Sequence, residues 1–341
     1  MAAGLLAEIV NTETEAALYV LEFFSNSSQI KLILDLIKTP RVKDDMKKVE
    51  GTNFGCPYLG FCDQPIALLQ RLLSKNMKEI HQNQERSTND FVFAMMSANA
   101  ADVVAQLLNN LSSKTDISPR GLISLLTFIH DAILNEYKHI IQKVVQACAK
   151  TLYSLIRESQ LLSIQEWPAS AGGGASAVNL IAAQVLRIFN LPYSMVVYDN
   201  DISLLNAEFG KSEIIYVAIA VLKYLNSEHI AIAVSLLSRL VFNSDTDRNF
   251  AQQFVNAGGL SVIKKYNLLD PENHPNLIID TLSLISQLAR LSKDFYDFIH
   301  KASLYSELRV LIQNSDAGIR AKVCNLIGNL CRHTGFFYDK L

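Results

Sequence analysis

Glycine, proline and tryptophan are scarce in this chain of 341 residues, which has 14 Gly, 8 Pro and 1 Trp. All-β sandwiches need many tight turns, which glycine and proline supply, so this composition disfavours them. Half of the residues are hydrophobic, which is enough to bury a large core and excludes a disordered chain. The 31 Lys and Arg residues nearly balance the 33 Asp and Glu residues. A generally basic, nucleic-acid-binding protein is therefore not expected.

Long apolar runs are also missing. The longest uninterrupted run, at 214–222, is much shorter than the roughly 20 apolar residues of a membrane-spanning helix, so no membrane segment is predicted. The amino terminus shows no basic segment followed by a cleavage pattern, so no secretory signal is expected. The five cysteines form an odd, sparse set, which is typical of free thiols in a reducing compartment. The predicted localisation is cytoplasmic.

Apolar residues recur at i, i+3, i+4 and i+7 in almost every segment, which predicts amphipathic helices. Near the carboxyl terminus, for example, Val323, Leu326, Ile327 and Leu330 mark one face of a helix. No pair of alternating strands flanks a hairpin turn. The pattern predicts an all-α chain.

A phrase of apolar pairs around one polar residue returns along the chain. Its intervals run from 33 residues (154 to 187) to 52 residues (187 to 239) and scatter around the roughly 40–47 residues of HEAT and armadillo repeats. Such repeats stack because none can bury its apolar face alone. We therefore predict an armadillo/HEAT-like α-solenoid superhelix. The residues in the polar slot of the phrase are Asn110, Ser154, Arg187, Arg239, Gln287 and Asn329.

Two stretches interrupt the repeats. Residues 39–63 are polar and then rich in Gly, Cys and aromatic residues, and they are predicted to form a long loop. Residues 166–177 contain Pro168 and three consecutive glycines at 172–174, which predicts a flexible linker. The expected organisation is therefore N-terminal helical repeats over 1–165, the linker, and C-terminal armadillo-like repeats over 178–341.

Motifs for catalysis are missing. A protein kinase needs a Gly-rich loop, a catalytic H-R-D loop and a D-F-G metal ligand, and the sequence contains none of them in context. The seven His residues are scattered without a nucleophile signature. We therefore predict no enzyme activity, no cofactor and no metal site for this chain.

The polar slot residues are the candidate partner-binding residues. Stacked repeats line such side chains along one wall, where they can hydrogen-bond an extended peptide. Asn325, one helical turn before Asn329, and the flanking Arg332 are added to this candidate groove. The alternative is that the slot amides cap loops of the neighbouring repeat, and the sequence leaves both interpretations open.

Residues 282–341 resemble the C-terminal armadillo-like region of the Fused family of serine/threonine kinases. The resemblance rests on SQLARLSKDFY, on IHKASLY, and on IRAKVCNLIGNLCRH followed by an aromatic pair and Tyr338. The segment GCPYLGFCD, at 55–63, is also similar to the regulatory region of that family.

This resemblance implies a parent protein with an N-terminal, ATP-dependent kinase domain. It implies roles in Hedgehog signalling, ciliary axoneme assembly or cytokinesis, and an association with the cytoskeleton or the cilium. The implied partners are a kinesin-like protein, a Suppressor of Fused-like protein, or the kinase domain in cis. From the balanced charge and the short apolar runs, no nucleic acid and no membrane are expected as partners. The alternative is an armadillo-type cargo or transport adaptor unrelated to a kinase. Adaptor grooves of that type usually repeat Trp-Asn pairs, and this chain has only Trp167.

Overall fold

The computed structural model describes residues 2–38, 60, 62–82, 89–111, 117–135, 137–194, 199–243, 248–332 and 335–339. Within these ranges the backbone forms helices and turns and no strand, which confirms the all-α prediction. Most of the loop predicted over 39–63 lies outside the described residues.

The chain divides into two compact units, Met1–Leu205 and Asn206–Leu341. The helices of the first unit are α1 (Ala2–Val10), α2 (Glu15–Phe24), α3 (Ser27–Lys38), α4 (Asp63–Gln82), α5 (Asp90–Ser97), α6 (Ala100–Asn109), α7 (Pro119–Leu134), α8 (Lys138–Ile140, continued by a π-helical turn at Ile141–Gln146), α9 (Ala149–Leu155), α10 (Glu158–Gln165) and α11 (Ala175–Asn190). The division falls within α12 (Asp199–Gly210). The second unit continues with α13 (Ile214–Ala220), α14 (Ser227–Phe242), α15 (Asn249–Asn256), α16 (Gly259–Lys265), α17 (Pro275–Leu291), α18 (Tyr296–Ala302), α19 (Tyr305–Leu311) and α20 (Ala317–Cys331).

Local signals start the long helices of the second unit. Asn226 Oδ1 accepts a hydrogen bond from the backbone N–H of His229 at 3.0 Å, which caps α14. Asp316 Oδ1 accepts from the N–H of Ile319 at 3.1 Å, which caps α20. Pro275 opens α17 at a position where a missing N–H costs nothing. Each cap satisfies a backbone donor that the first helical turn leaves unpaired.

Long helices pack side by side in each unit. In the first unit α4 packs against α1 and α7, and α7 packs against α11. In the second unit α17 packs against both α14 and α20. Leu282, Ile285 and Leu288 of α17 are buried in this packing, and burying each such side chain contributes about 1.5–3 kcal/mol. We call α4, α7 and α11 the first row, and α14, α17 and α20 the second row.

The residues predicted to form a linker, 166–177, lie inside the first unit. They contain a 3₁₀ turn at Ala169–Ala171 and then Gly172, whose φ of +81° is in the left-handed region that favours glycine. Helix α11 follows directly. The predicted division into domains stays a prediction, and the compact units divide after Leu205.

Among the described residues, one helical stretch, Ala169–Ser194, is long and apolar enough to cross a membrane by length and composition, and the bent pair α5 and α6 would also pass if counted as one span. Half of the 18-residue window that passes in the first stretch is buried inside the protein. Its helix α11 packs against α7, α9 and α10. Since a helix buried in a globular core is as apolar as a membrane span, we assign α11 to the packed interior of the first unit.

Candidate functional site

One helical position is polar or charged in every row helix. It is the thirteenth residue, counted from the first residue of the helix. We call these side chains the position-13 residues: Lys75, Asp131 and Arg187 in the first row, and Arg239, Gln287 and Asn329 in the second.

Four of the six predicted slot residues therefore share one register, and Asn110 and Ser154 lie elsewhere. Asn110 is exposed at the carboxyl end of α6, and Ser154 lies on α9, where its Oγ donates to Thr151 O at 2.7 Å. These short helices end in the same apolar phrase because they also bury one face in the stack. The residues that phrase matching missed are Lys75 and Asp131. Counting from the start of each helix finds them.

Two position-13 residues form a hydrogen bond with a serine of the preceding row helix, one as acceptor and one as donor. Asp131 Oδ2 accepts a hydrogen bond from Ser74 Oγ at 2.7 Å. Asn329 Nδ2 donates to Ser286 Oγ, also at 2.7 Å. Both serines are the twelfth residue of their helix. The same pair of positions thus joins adjacent helices in both rows.

Gln287 is 4% exposed, and its amide is used inside the second row. Its Nε2 donates to Phe242 O at 3.3 Å, and its Oε1 accepts from Arg290 Nε at 2.9 Å. Phe242 is the last residue of α14, so Gln287 pairs a carbonyl that the helix end leaves open. At Gln287 the geometry matches the alternative in which a slot amide caps the neighbouring repeat.

Asn325, Asn329 and Ser286 form one hydrogen-bonded group between α17 and α20. Asn325 Oδ1 accepts from Ser286 Oγ at 2.7 Å and from Asn329 Nδ2 at 3.1 Å. The hydroxyl of Tyr296 donates to Asn329 O at 2.9 Å. Because the side chain of Asn325 is exposed and its oxygen faces this group, its amide nitrogen is presented outward. That nitrogen has no hydrogen-bond acceptor in the part of the chain that the structure describes.

Charged side chains meet across the second row around Asp280 of α17. Burial raises the pKa of Asp280, and a hydrogen bond with Ser235 and the charges of Arg239 and Lys322 offset part of that rise. Arg239 and Ser235 come from α14 and Lys322 comes from α20. Arg239 is half-buried, whereas Lys322 and the predicted groove residue Arg332 are exposed.

The charged position-13 residue Lys75 of the first row forms an internal ion pair. Its side chain is 7% exposed, and its Nζ lies 3.2 Å from Glu79 Oε1 and 3.3 Å from Glu13 Oε2. Burial lowers the pKa of Lys75, but the hydrogen bonds with the two carboxylates outweigh burial, and the pKa is raised. Arg187, at the same position in α11, is half-buried.

The described thiols include both buried and exposed groups. Cys62 is buried and its Sγ donates to Ile37 O at 3.7 Å. Cys148 is also buried, which raises the pKa of its thiol, and Cys324 is exposed. Across the described ranges, no three His, Cys, Asp or Glu side chains are grouped in a way that would hold a metal ion.

Solved structures that resemble this chain include designed armadillo repeat proteins. Designed armadillo repeat protein YIII(Dq)4CqI matches with a TM-score of 0.55 at 14% identity, covering 88% of this chain and 99% of that chain. Designed armadillo repeat protein YIII(Dq.V1)4CPAF in complex with peptide (KR)4 matches with a TM-score of 0.53 at 15% identity, with the same coverage of both chains. These matches confirm the prediction of an armadillo-like α-solenoid.

Curated relatives of the sequence are serine/threonine kinases, although no protein-family model matches the chain. The chain is 25% identical over 301 residues to serine/threonine-protein kinase 36 of Pongo abelii, which covers 81% of this chain. It is 37% identical over 86 residues to serine/threonine-protein kinase TIO of Arabidopsis thaliana, which covers 25% of this chain. The chain spans 22% and 6% of the length of these two relatives. The resemblance to the armadillo-like region of Fused-type serine/threonine kinases is thereby confirmed, and the chain is a helical repeat protein of the armadillo-like type.

Proposed function

We propose that this chain is a non-catalytic, protein-binding scaffold that serves as the regulatory region of a Fused-type serine/threonine kinase. The observation that carries the proposal is that some polar side chains of the second row join adjacent helices while others are exposed to solvent. Gln287, Asn329 and Ser286 brace the stacked helices, and Lys322 and Arg332 stay exposed beside them. The exposed Asn325 joins the bracing group through its side-chain oxygen alone. Because residues three and seven apart share a helix face, Lys322, Asn325 and Asn329 follow one face of α20.

Extended peptides are the natural ligands of such a face. A rigid stack presents side chains at regular spacing and binds a peptide with little rearrangement. The designed armadillo repeat protein in complex with peptide (KR)4 has a similar fold, which supports peptide binding in this architecture.

The partners that we propose are a kinesin-like protein, a Suppressor of Fused-like protein, or the kinase domain of the same polypeptide. They follow from the resemblance to Fused-type kinases, as do a cytoplasmic location at the cytoskeleton or cilium and a role in Hedgehog signalling, axoneme assembly or cytokinesis. The cargo-adaptor alternative is weaker because Trp167, the single Trp of the chain, lies outside all row helices.

Binding of the purified full chain to each of the three purified partners tests the proposal. The variant Asn325→Ala/Arg332→Ala should weaken the interaction about five- to tenfold, which is the effect of losing two exposed polar contacts. The matched control is Gln313→Ala/Arg309→Ala, which removes one exposed amide and one exposed Arg outside the rows. Circular dichroism monitors the fold of both variants.

Three results would contradict the proposal. The first is no measurable binding to any of the three partners. The second is an equal loss of binding in the control variant. The third is ATP turnover by the purified chain, because the proposed role is non-catalytic.

A further inference from the structure

We propose that the second row binds an acidic, extended peptide segment of a partner protein. This inference rests on the proposed scaffold function and adds the charge of the ligand. Its site is the carboxyl-terminal half of the second row, together with Lys322.

The charges of the second row are unevenly distributed. Arg290 and Arg332 are exposed at the carboxyl ends of α17 and α20, and Lys322 is exposed in the amino-terminal half of α20. The acidic side chains lie towards the amino-terminal ends of the row helices. Glu228 is in the first turn of α14, and Asp280 is already faced by Arg239 and Lys322. The carboxyl-terminal half of this face is therefore positive.

The positive charge is local, because the whole chain has a formal net charge of −2. The overall charge of the protein does not attract an acidic ligand, so the attraction depends on the local positive charge of this face. Charge complementarity of this kind selects among partners and increases the rate of association.

Asn325 adds a directed hydrogen-bond donor to the positive face. Its oxygen is held by Ser286 and Asn329, so its outward amide nitrogen is oriented before any ligand binds. It lies three residues from Lys322 on the same face of α20. A backbone carbonyl or a carboxylate is the acceptor that fits this donor, and an acidic peptide offers both.

The row helices favour a peptide over a single-stranded nucleic acid. Nucleic-acid grooves combine basic residues with several aromatic platforms on which successive bases stack. In α14, α17 and α20, which the structure describes throughout, Phe242 is the single Phe, Tyr or Trp. Its side chain is 59% exposed, and it offers an apolar contact to one residue of a peptide.

The competing explanation is that these cations only complement the helix dipole. Positive side chains at the carboxyl end stabilise a helix. Arg290 lies in the last turn of α17, and Arg332 is the C-cap residue of α20. Lys322 lies well before the last turn of α20, so a dipole role does not explain it. Peptide binding to the variants, and their urea denaturation followed by circular dichroism, separate a binding role from a stabilising one.

Fluorescence anisotropy with two labelled eight-residue peptides, (Asp-Glu)4 and (Lys-Arg)4, tests the proposal on the full chain. The acidic peptide should bind more tightly than the basic one, and its affinity should fall as salt screens the charges. Lys322→Gln/Arg332→Gln should weaken the acidic peptide about five- to tenfold, and Asn325→Ala about two- to fivefold. The control Lys301→Gln/Arg309→Gln removes the same charges from exposed positions on α18 and α19 and should stay within about twofold.

The outcomes separate this inference from the scaffold proposal. Tighter binding of the basic peptide, or binding of neither peptide, overturns the acidic ligand while the interaction with a protein partner can still be measured. If the control variant loses as much affinity for the acidic peptide, the attraction comes from surface charge in general and not from this site, which also overturns the proposal. The proposal is also overturned if an octathymidylate competes as well as the acidic peptide does. It is overturned as well if the double variant loses stability but keeps its affinity for the acidic peptide. If the double variant loses its helical signal, the single change Arg332→Gln takes its place, with the same expected direction.

Discussion

Removing the hydroxyl of Ser286 tests whether the second row is braced as the structure shows. Ser286 is 6% exposed, and its Oγ donates to Asn325 and accepts from Asn329, both at 2.7 Å. A neutral hydrogen bond contributes about 0.5–1.5 kcal/mol, and a buried group left unpaired costs about 1–3 kcal/mol. Asn325 is exposed and regains water, and Asn329 keeps its contact with Asn325 at 3.1 Å. Ser286→Ala should therefore lower the free energy of unfolding by about 1–2 kcal/mol.

Urea denaturation followed by circular dichroism measures this change. With a slope of about 2 kcal/mol per molar urea, the midpoint should fall by roughly 0.5–1 M. The matched control is Ser238→Ala on α14. Ser238 is also the twelfth residue of its helix and is 8% exposed. Its replacement should cost less than about 0.5 kcal/mol, since small substitutions without a lost partner have small effects.

A double-mutant cycle with Asn329→Ala completes the test. Residues that share a hydrogen bond couple by about 0.5–3 kcal/mol, so Ser286→Ala should cost much less when Asn329 is already absent. Equal costs for the changes at Ser286 and Ser238, or additive effects in the cycle, would refute the bracing of adjacent helices at these positions.

Three further outcomes are expected. Tyr137 is fully buried and its hydroxyl accepts from the N–H of Ala101 at 3.2 Å, so Tyr137→Phe should cost about 1–3 kcal/mol in urea unfolding, and an unchanged midpoint would argue against that contact. Burial raises the pKa of Tyr137 from 10.0 to about 12. Between these pH values the Tyr137 hydroxyl ionises in the unfolded chain but not in the folded one, so the stability of the wild type relative to Tyr137→Phe should fall as the pH rises. A constant difference in the free energy of unfolding would contradict this. A thiol reagent should label exposed Cys324 well before Cys148, whose pKa burial raises, and equal rates in mass spectrometry would disprove the burial of Cys148.

Helical periodicity was sufficient to predict the elements of the fold. Val323, Leu326 and Leu330, which mark one face in the sequence, are buried along α20. This works because amphipathic spacing reports only on the helix that carries it. The stacked architecture followed from the recurrence of such helices and is confirmed by the likeness to designed armadillo repeat proteins.

The register of the candidate site was harder to predict. Asn110 and Ser154 satisfied the same phrase as Arg187, because short and long helices bury their apolar faces alike. The structural role of Gln287 depends on Phe242 O, which the chain brings near from 45 residues away. Contacts of this kind leave no local pattern, so the sequence could not decide between peptide binding and capping at this residue.

The constant register of the row helices has a consequence for how such chains change over evolution. Successive position-13 residues are separated by 56 (75 to 131), 56 (131 to 187), 52 (187 to 239), 48 (239 to 287) and 42 (287 to 329) residues. The differences in length are taken up by the short helices and turns between the row helices, while the thirteenth position is kept. Within each row, an insertion or deletion in a connecting segment therefore leaves the thirteenth position of the row helices unchanged, because such segments accept changes of length more readily than helices do.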